Sequence, residues 1–256
     1  MNHQAENNDY FVSMTDMMVG VLFVFIIIVS YFVLQLQKNI EEQETYPVKV
    51  EETKQLLVSA LAQALRSAGI DVTEDPVMGV VSLKGDGLFN RGSSELAERE
   101  GALDKVKVLA QTLEDTFSCY SFYSIKGVAV PLDNWRDCNP DSIFIESIYV
   151  EGHSDSDPFR GVLPDGSRNN LQLSARRATN TYEQIVSFTP SITSFMSPNN
   201  QQALSVAAYG EQRPVATNDT LEGKSQNRRI AIRLVMYMPT TKDTLEAFMV
   251  RLGSFE

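Results

Sequence analysis

Ile143-Phe-Ile-Glu-Ser-Ile-Tyr-Val-Glu-Gly-His-Ser-Asp155 carries the strongest strand signal in the chain and ends on a turn rich in polar groups. Residues 143 to 151 alternate and are rich in β-branched side chains, the pattern of a strand with one buried face. Gly152 ends the run, so the strand delivers Gly152-His-Ser-Asp155 to its end and presents the carboxylate of Asp155 in a turn.

Moving toward the C-terminus, the pattern is helical from Asn170 to about Ser187, and Ser205 to Tyr209 and Arg229 to Met238 form two more strands. Asn170 and Leu173 stand seven and four residues before Arg177, so on a helix all three fall near one face. A last amphipathic helix is predicted between Thr240 and Glu256, through Leu245, Phe248, Met249 and Leu252.

Toward the N-terminus, Ser118 to Pro140 is irregular and holds Cys119, Cys138, Trp135 and a Lys126-Gly127 turn, which suggests an insertion on the fold. Before it, a helical pattern runs to about Phe117, with Ser93 or Ser94 as the expected N-cap. Ile70 to Leu83 forms two short β-like runs around a turn at Asp75-Pro76. Val50 to Ala68 is an amphipathic helix, with Leu57, Leu61, Ala64, Leu65 and Ala68 at intervals of three and four and Gly69 as its stop. Asn39 to Lys49, charged and containing Pro47, has no periodicity and is expected to be a connector. Strands and helices in this order predict an α+β domain, a mixed β-sheet with helices on one face.

Upstream lies Tyr10 to Gln37, whose one ionisable charge is Asp16. About 20 apolar residues suffice to cross the hydrocarbon layer, so a single transmembrane helix is predicted. An acid in such a helix costs about 3 kcal/mol on insertion scales and marks a functional site by default. Two readings of Asp16 remain: an intramembrane acid, or an interfacial residue marking the start of a span over residues 17 to 37. A signal peptide fits poorly, because no basic region precedes the run and no small-x-small site follows it. The expected organisation is a tail over 1–9, the span over 10–37, a connector and linker helix over 38–69, the domain over 70–240 and a C-terminal helix over 241–256.

A net charge of −11 excludes nucleic acid as a main partner, because phosphate contact needs an excess of Lys and Arg. Two cysteines without C-x-x-C spacing and only two histidines argue against zinc. No cofactor is expected. Taken alone, Lys38, Lys49 and Lys54 after the span favour a cytoplasmic C-terminus.

Four stretches bear a specific resemblance to a known domain. Val150-Glu-Gly-His-Ser-Asp155, Asn170-Leu-Gln-Leu-Ser-Ala-Arg-Arg-Ala178, Tyr209-Gly-Glu-Gln-Arg-Pro214 and Asn227-Arg-Arg-Ile230 stand in the order and spacing of the OmpA-like peptidoglycan-binding domain, with Phe89 to Leu96 as its early motif. The resemblance implies that Asp155 pairs with the ammonium group of a diaminopimelate and Arg177 with a peptide carboxylate, framed by Asn170 and Leu173. It also implies binding without catalysis. His153 has no nucleophile-and-base pair around it, and the chain is expected not to be an enzyme.

The span, Ser13-Met-Thr-Asp-Met-Met-Val-Gly-Val-Leu-Phe-Val-Phe25, resembles that of the B subunits of ion-driven stators, the MotB, ExbD and TolR group, in which an Asp takes and releases the permeating ion. Together the two resemblances imply a homodimer inside a pentameric ring of MotA-like or ZorA-like A subunits. They also imply a cytoplasmic N-terminus, passage through the bacterial inner membrane and a periplasmic domain, against the lysine count. Asp16 is then the ion-translocating residue, carrying a proton rather than sodium. The helix over 50–68 either plugs the ion path or packs on the domain or on a partner copy. In a periplasm, Cys119 and Cys138 are the expected disulfide pair. The short acidic tail, the cysteine-bearing insertion and the long loop after Asp155 look most like the ZorB-type subunits of Zorya anti-phage defence. The alternatives are a flagellar or gliding-type MotB stator and a non-conducting wall-anchored scaffold.

Overall fold

The computed structural model describes the backbone of residues 3–158 and 161–255 and the side chains of 17–35, 45–158, 161–241 and 243–255. The chain divides into two units, residues 1–48 and 49–256.

The first unit holds the N-terminal part of helix α1 (His3–Ser67). Within it Met17–Gln35 has a mean hydropathy of 2.9 and is, among the described residues, the one helix long and apolar enough to cross a membrane. Its apolar side chains are exposed all round, from Met17 to Leu34, as expected where lipid rather than protein is the neighbour. Asp16 lies in α1 one residue before this run, and its side chain is outside the described residues. Residues 39–49 are helical, which corrects the irregular connector expected there. Glu, Gln and Lys dominate that stretch and favour helix, and Pro47 removes one N–H donor without ending it.

In the second unit, the end of α1 buries Val50, Leu57, Val58, Leu61, Ala62 and Leu65 along one stripe. The helix stops because Gly69 takes φ +80°, letting Ile70 N–H reach the Leu65 carbonyl and Gly69 N–H the Arg66 carbonyl. That pair of bonds is the Schellman closure, which satisfies two otherwise unpaired carbonyls.

Five strands then form a mixed sheet in the order β1-β2-β8-β5-β7. They are β1 (Val72–Asp75), β2 (Val80–Lys84), β5 (Ile145–His153), β7 (Leu204–Gly210) and β8 (Arg229–Met236). Only β5 and β7 run parallel, joined by helix α4 (Asn170–Phe188); β8 returns antiparallel between β2 and β5. The register puts Val81, Leu83, Ile230, Ile232, Leu234, Ile148, Val150 and Leu204 on one face, where they are buried. Helix α4 covers β5 and β7 on that face, and α2 (Ala102–Phe117) packs against α4. Contact is so close at Gly152 that a Cβ there would lie 2.0 Å from the Ser174 carbonyl oxygen.

Ser118 to Pro140, expected to be irregular, is instead ordered. It contains strands β3 (Phe122–Ile125) and β4 (Val128–Pro131), closed by the Lys126-Gly127 turn, and helix α3 (Trp135–Cys138). With β6 (Phe195–Met196) the hairpin makes a second sheet, β4-β3-β6. Phe122, Trp135 and Phe144 pack there with Phe248 and Leu252 of the C-terminal helix α5 (Lys242–Gly253). Cys119 and Cys138 are joined by a disulfide, with Cα atoms 6.2 Å apart. The expected Ser93 or Ser94 cap is also corrected, since α2 starts at Ala102 behind Gly101 at φ +71°. Ser93 and Ser94 instead turn their hydroxyls to Glu98 and Asp165.

Candidate ligand-binding cleft

At the C-terminal end of β5 the chain is pinned to its parallel neighbour by Ser154 N–H donating to the Gly210 carbonyl. Gly210 has φ +55°, and a Cβ there would sit 3.0 Å from Leu171 N, so a small residue lets β7 pass beneath the start of α4. Asn169 caps that helix, its side chain accepting from Gln172 N–H at 2.8 Å. Strand end and helix start thus converge on a cleft of about 590 Å³. Its walls include Asp155, Asn170, Leu173 and Arg177, all four of the residues expected from sequence, and Arg91, Asp157, Leu163 and Arg228 besides.

Asp155 is 6% exposed. Its Oδ1 accepts from Asp157 N–H at 3.1 Å and its Oδ2 from Arg228 Nη1 at 2.5 Å. Arg228 also grips Asp86 bidentately, through Nε and Nη2 at 2.7 Å each, the fork-to-carboxylate geometry that makes such pairs strong. The Arg228 contact, against a smaller penalty from burial, holds the Asp86 carboxyl below its usual range.

Arg177 is 4% exposed and forms no ion pair among the described residues. Its Nε donates to the Ser93 carbonyl at 2.8 Å and its Nη2 to the Asn90 carbonyl at 3.1 Å, and the guanidinium lies over the Phe89 ring. Burial pulls its pKa down to about 10, with Asp86 and Asp155 opposing the fall. Asn170 donates to the Asp157 carbonyl and to Glu211 Oε2, both at 3.1 Å, and Leu173 supplies an apolar wall. Asp157 is held by Lys224 at 2.7 Å and Arg91 at 2.8 Å. A carboxylate stands on one side of the cleft and a desolvated guanidinium on the other, an arrangement able to take a ligand that carries both charges.

Asn227 and Arg228 belong to the last of the four motifs. Asn227 is fully buried and fastens the preceding loop, its Oδ1 accepting from Val215 and Ala216 N–H and its Nδ2 donating to the Ala216 carbonyl. Arg228, however, reaches into the cleft itself and binds Asp155. Asp86 was missed. It sits in a Gly-Asp-Gly turn, 142 residues from its partner, with no local signal of a role. The long loop after Asp155 contributes Asp157, Pro158 and Leu163 to the cleft; residues 159 and 160 of it lie outside the described residues. His153 is on the opposite face of the sheet, so it takes no part in the cleft.

Residues 141–228 match the OmpA family. Over 89 residues, 35% of this chain, the sequence is 30% identical to Motility protein B of Bacillus subtilis (strain 168), and the match spans 30% of that protein. Among solved structures, the cell wall anchor of the T6SS from Pseudomonas aeruginosa is similar with 20% identity and a TM-score of 0.44, covering 71% of this chain and 97% of that one. The periplasmic domain of Helicobacter pylori MotB is similar with 18% identity and a TM-score of 0.42, covering 69% of this chain and 83% of that one.

Proposed function

We propose that this chain is a peptidoglycan-anchored B subunit of an ion-driven rotary motor in the bacterial inner membrane, and not an enzyme. One observation carries the reading: Asp155 and Arg177, the charged residues of the OmpA-like motifs, stand in one cleft with Asn170 and Leu173, inside the segment that matches that family. In this reading Asp155 takes the ammonium and Arg177 the carboxylate of a wall-peptide zwitterion, and the Nε and Nη2 bonds to backbone carbonyls hold the guanidinium ready. Pre-orientation of this kind lowers the entropic cost of binding.

The helix containing Met17–Gln35 is the membrane anchor, with the N-terminus cytoplasmic and the domain periplasmic. An oxidising compartment on that side suits the disulfide. Asp16 passes protons where two copies of this chain meet a pentameric ring of A subunits; protonation relieves the cost of an intramembrane charge and release restores it. The motor is of the Zorya defence type, the chain filling the place of ZorB beside ZorA. Its support is the cysteine-bearing lobe and the long loop after Asp155.

The test of the motor half is Asp16→Asn, which keeps the side-chain volume and removes proton exchange. Cells carrying the variant should assemble the complex, recovered by affinity capture with a multi-span A subunit, and lose resistance to phage. Full resistance in the variant contradicts proton carriage by Asp16, and capture with flagellar proteins contradicts the defence assignment.

A further inference from the structure

The face of the sheet away from α4 carries a second cavity, of about 380 Å³, between the β1-β2 hairpin and the loop after β7. Strand alternation sends Glu151 and His153 of β5 and Arg229 and Arg233 of β8 to this face. It is walled in part by His153, Arg213, Arg229 and Arg233, with Glu74 and Asp75 at the hairpin.

The charges on this face do not balance. Glu151 is fully buried and neutralised by Arg233, whose Nε and Nη2 lie 2.6 and 3.1 Å from its oxygens. Glu74 is in register with Val81, which turns its carboxylate to the other face, where Arg66 pairs with it. Asp75 lies at the exposed end of β1 and accepts from Met78 N–H. Arg229 and Arg213 are left; neither forms an ion pair among the described residues, and Arg213 lies over the Tyr209 ring at 4.1 Å. Arg229 is 8% exposed; its Nη1 and Nη2 reach only the carbonyls of Asn227 and Arg213, and its Nε is buried without a partner. His153, 2% exposed and stacked on Tyr209, turns its Nε2 to Glu151 Oε2 at 3.5 Å, and its buried Nδ1 has no hydrogen-bond partner among the described residues.

Glu151 offsets part of the Arg229 charge across this face but is already gripped by Arg233; a buried guanidinium without an ion pair of its own is costly, and buried donors in native structures almost always have partners. Water in the cavity would satisfy the hydrogen bonds but not the charge. We propose that this cavity binds a compact oxyanion, a carboxylate or a phosphate group, which accepts hydrogen bonds from Arg229 Nε and the His153 ring, with Arg213 closing over it from the loop. The site is separate from the Asp155–Arg177 cleft, shares no residue with it, and stands whether or not that cleft binds cell wall.

Because the chain has only two histidines, His3 and His153, the ring resonances of the full-length protein, histidine-labelled and held in detergent micelles, report on the site directly. Sodium phosphate and sodium acetate are titrated separately against sodium chloride at fixed ionic strength and pH. The expected result is a saturable shift of the His153 signals with His3 unmoved, the more effective anion identifying phosphate or carboxylate as the preferred group. The apparent affinity should fall at least tenfold in Arg229→Gln, and also in Arg213→Ala, an exposed position that leaves the core untouched. The proposal is overturned if neither anion shifts His153 in the wild type, if chloride shifts it equally, or if Arg213→Ala and a folded Arg229→Gln respond as the wild type does.

Discussion

Asp155 is bound to Arg228 and not to Arg177: Arg228 Nη1 donates to Asp155 Oδ2, while the same guanidinium holds both oxygens of Asp86. The two residues expected to meet the ligand are thus kept from collapsing onto each other. Arg228 fixes the carboxylate from one side, and backbone carbonyls fix Arg177 from the other. A ligand has no internal Asp155–Arg177 bridge to break.

Arg228→Ala should therefore damage both stability and binding. It leaves Asp86 and Asp155 without their shared partner, and the loss is expected to be about 2 kcal/mol, less than for a wholly buried pair because Arg228 is partly solvated. Denaturant unfolding of the full chain in detergent measures it. Arg228→Lys should recover only part of the loss, since an ammonium cannot span two carboxylates as a fork does.

Gly152→Ala should destabilise the protein by roughly 2 kcal/mol, the usual range for forced overpacking. The added methyl meets the Ser174 carbonyl, a backbone atom of α4 that can move only with its helix. A lowered unfolding midpoint with unchanged m-value is the expected signature. An unchanged midpoint contradicts the close approach of α4 to β5.

Glu151 gives the domain an acid limit. Burial works to raise its carboxyl, but His153 and Arg233 outweigh it and bring the pKa from 4.5 down to about 2. A folded-state pKa below the unfolded value means stability that is complete above about pH 4.5 and lost as pH falls toward 2. The loss is on the order of 3 kcal/mol. His153, also lowered by burial, acts with the same sign but in the window just below 6.5, so the comparison belongs between pH 2 and 4.5. Glu151→Gln should be less stable than wild type at pH 7 and show a flatter pH dependence across that acid window.

The Cys119–Cys138 bridge closes a short loop over the lobe that holds Phe122 and Trp135. Replacing both cysteines with Ser should cost about 3 kcal/mol by the chain-entropy estimate. Mass spectrometry of protein purified from native membranes, alkylated before digestion, should find the two peptides linked. Two freely alkylated thiols would contradict an oxidising compartment for this domain.

What the sequence made legible follows the range over which each feature is encoded. The strand through Ile148 and Val150 and the helix through Leu173, Arg177 and Thr181 carry their periodicity locally, and both lie within a few residues of where alternation and helical spacing put them. The lobe at Phe122 to Cys138 was missed because its strands are four residues long and its third strand, Phe195–Met196, comes from far along the chain. Too few side chains remain there for a period to show. Ser93 looked like a helix cap, but its hydroxyl bonds Glu98 and the helix waits for Gly101. Of the cleft, the residues held in motifs were readable, while the Asp86–Arg228–Asp155 bridge joins three segments that only the folded sheet brings together.

Whether the cleft holds cell wall is read by sedimenting the protein in detergent with purified peptidoglycan sacculi, comparing wild type with Arg177→Ala and Asp155→Ala. Each substitution leaves one ligand charge unpaired in a desolvated site, and truncating one partner of such a pair costs about 2 kcal/mol or more. Saturable co-sedimentation of the wild type and at least a tenfold weaker affinity for each folded variant are expected. Failure of the wild type to sediment, or equal binding by both variants, would contradict wall binding at this cleft.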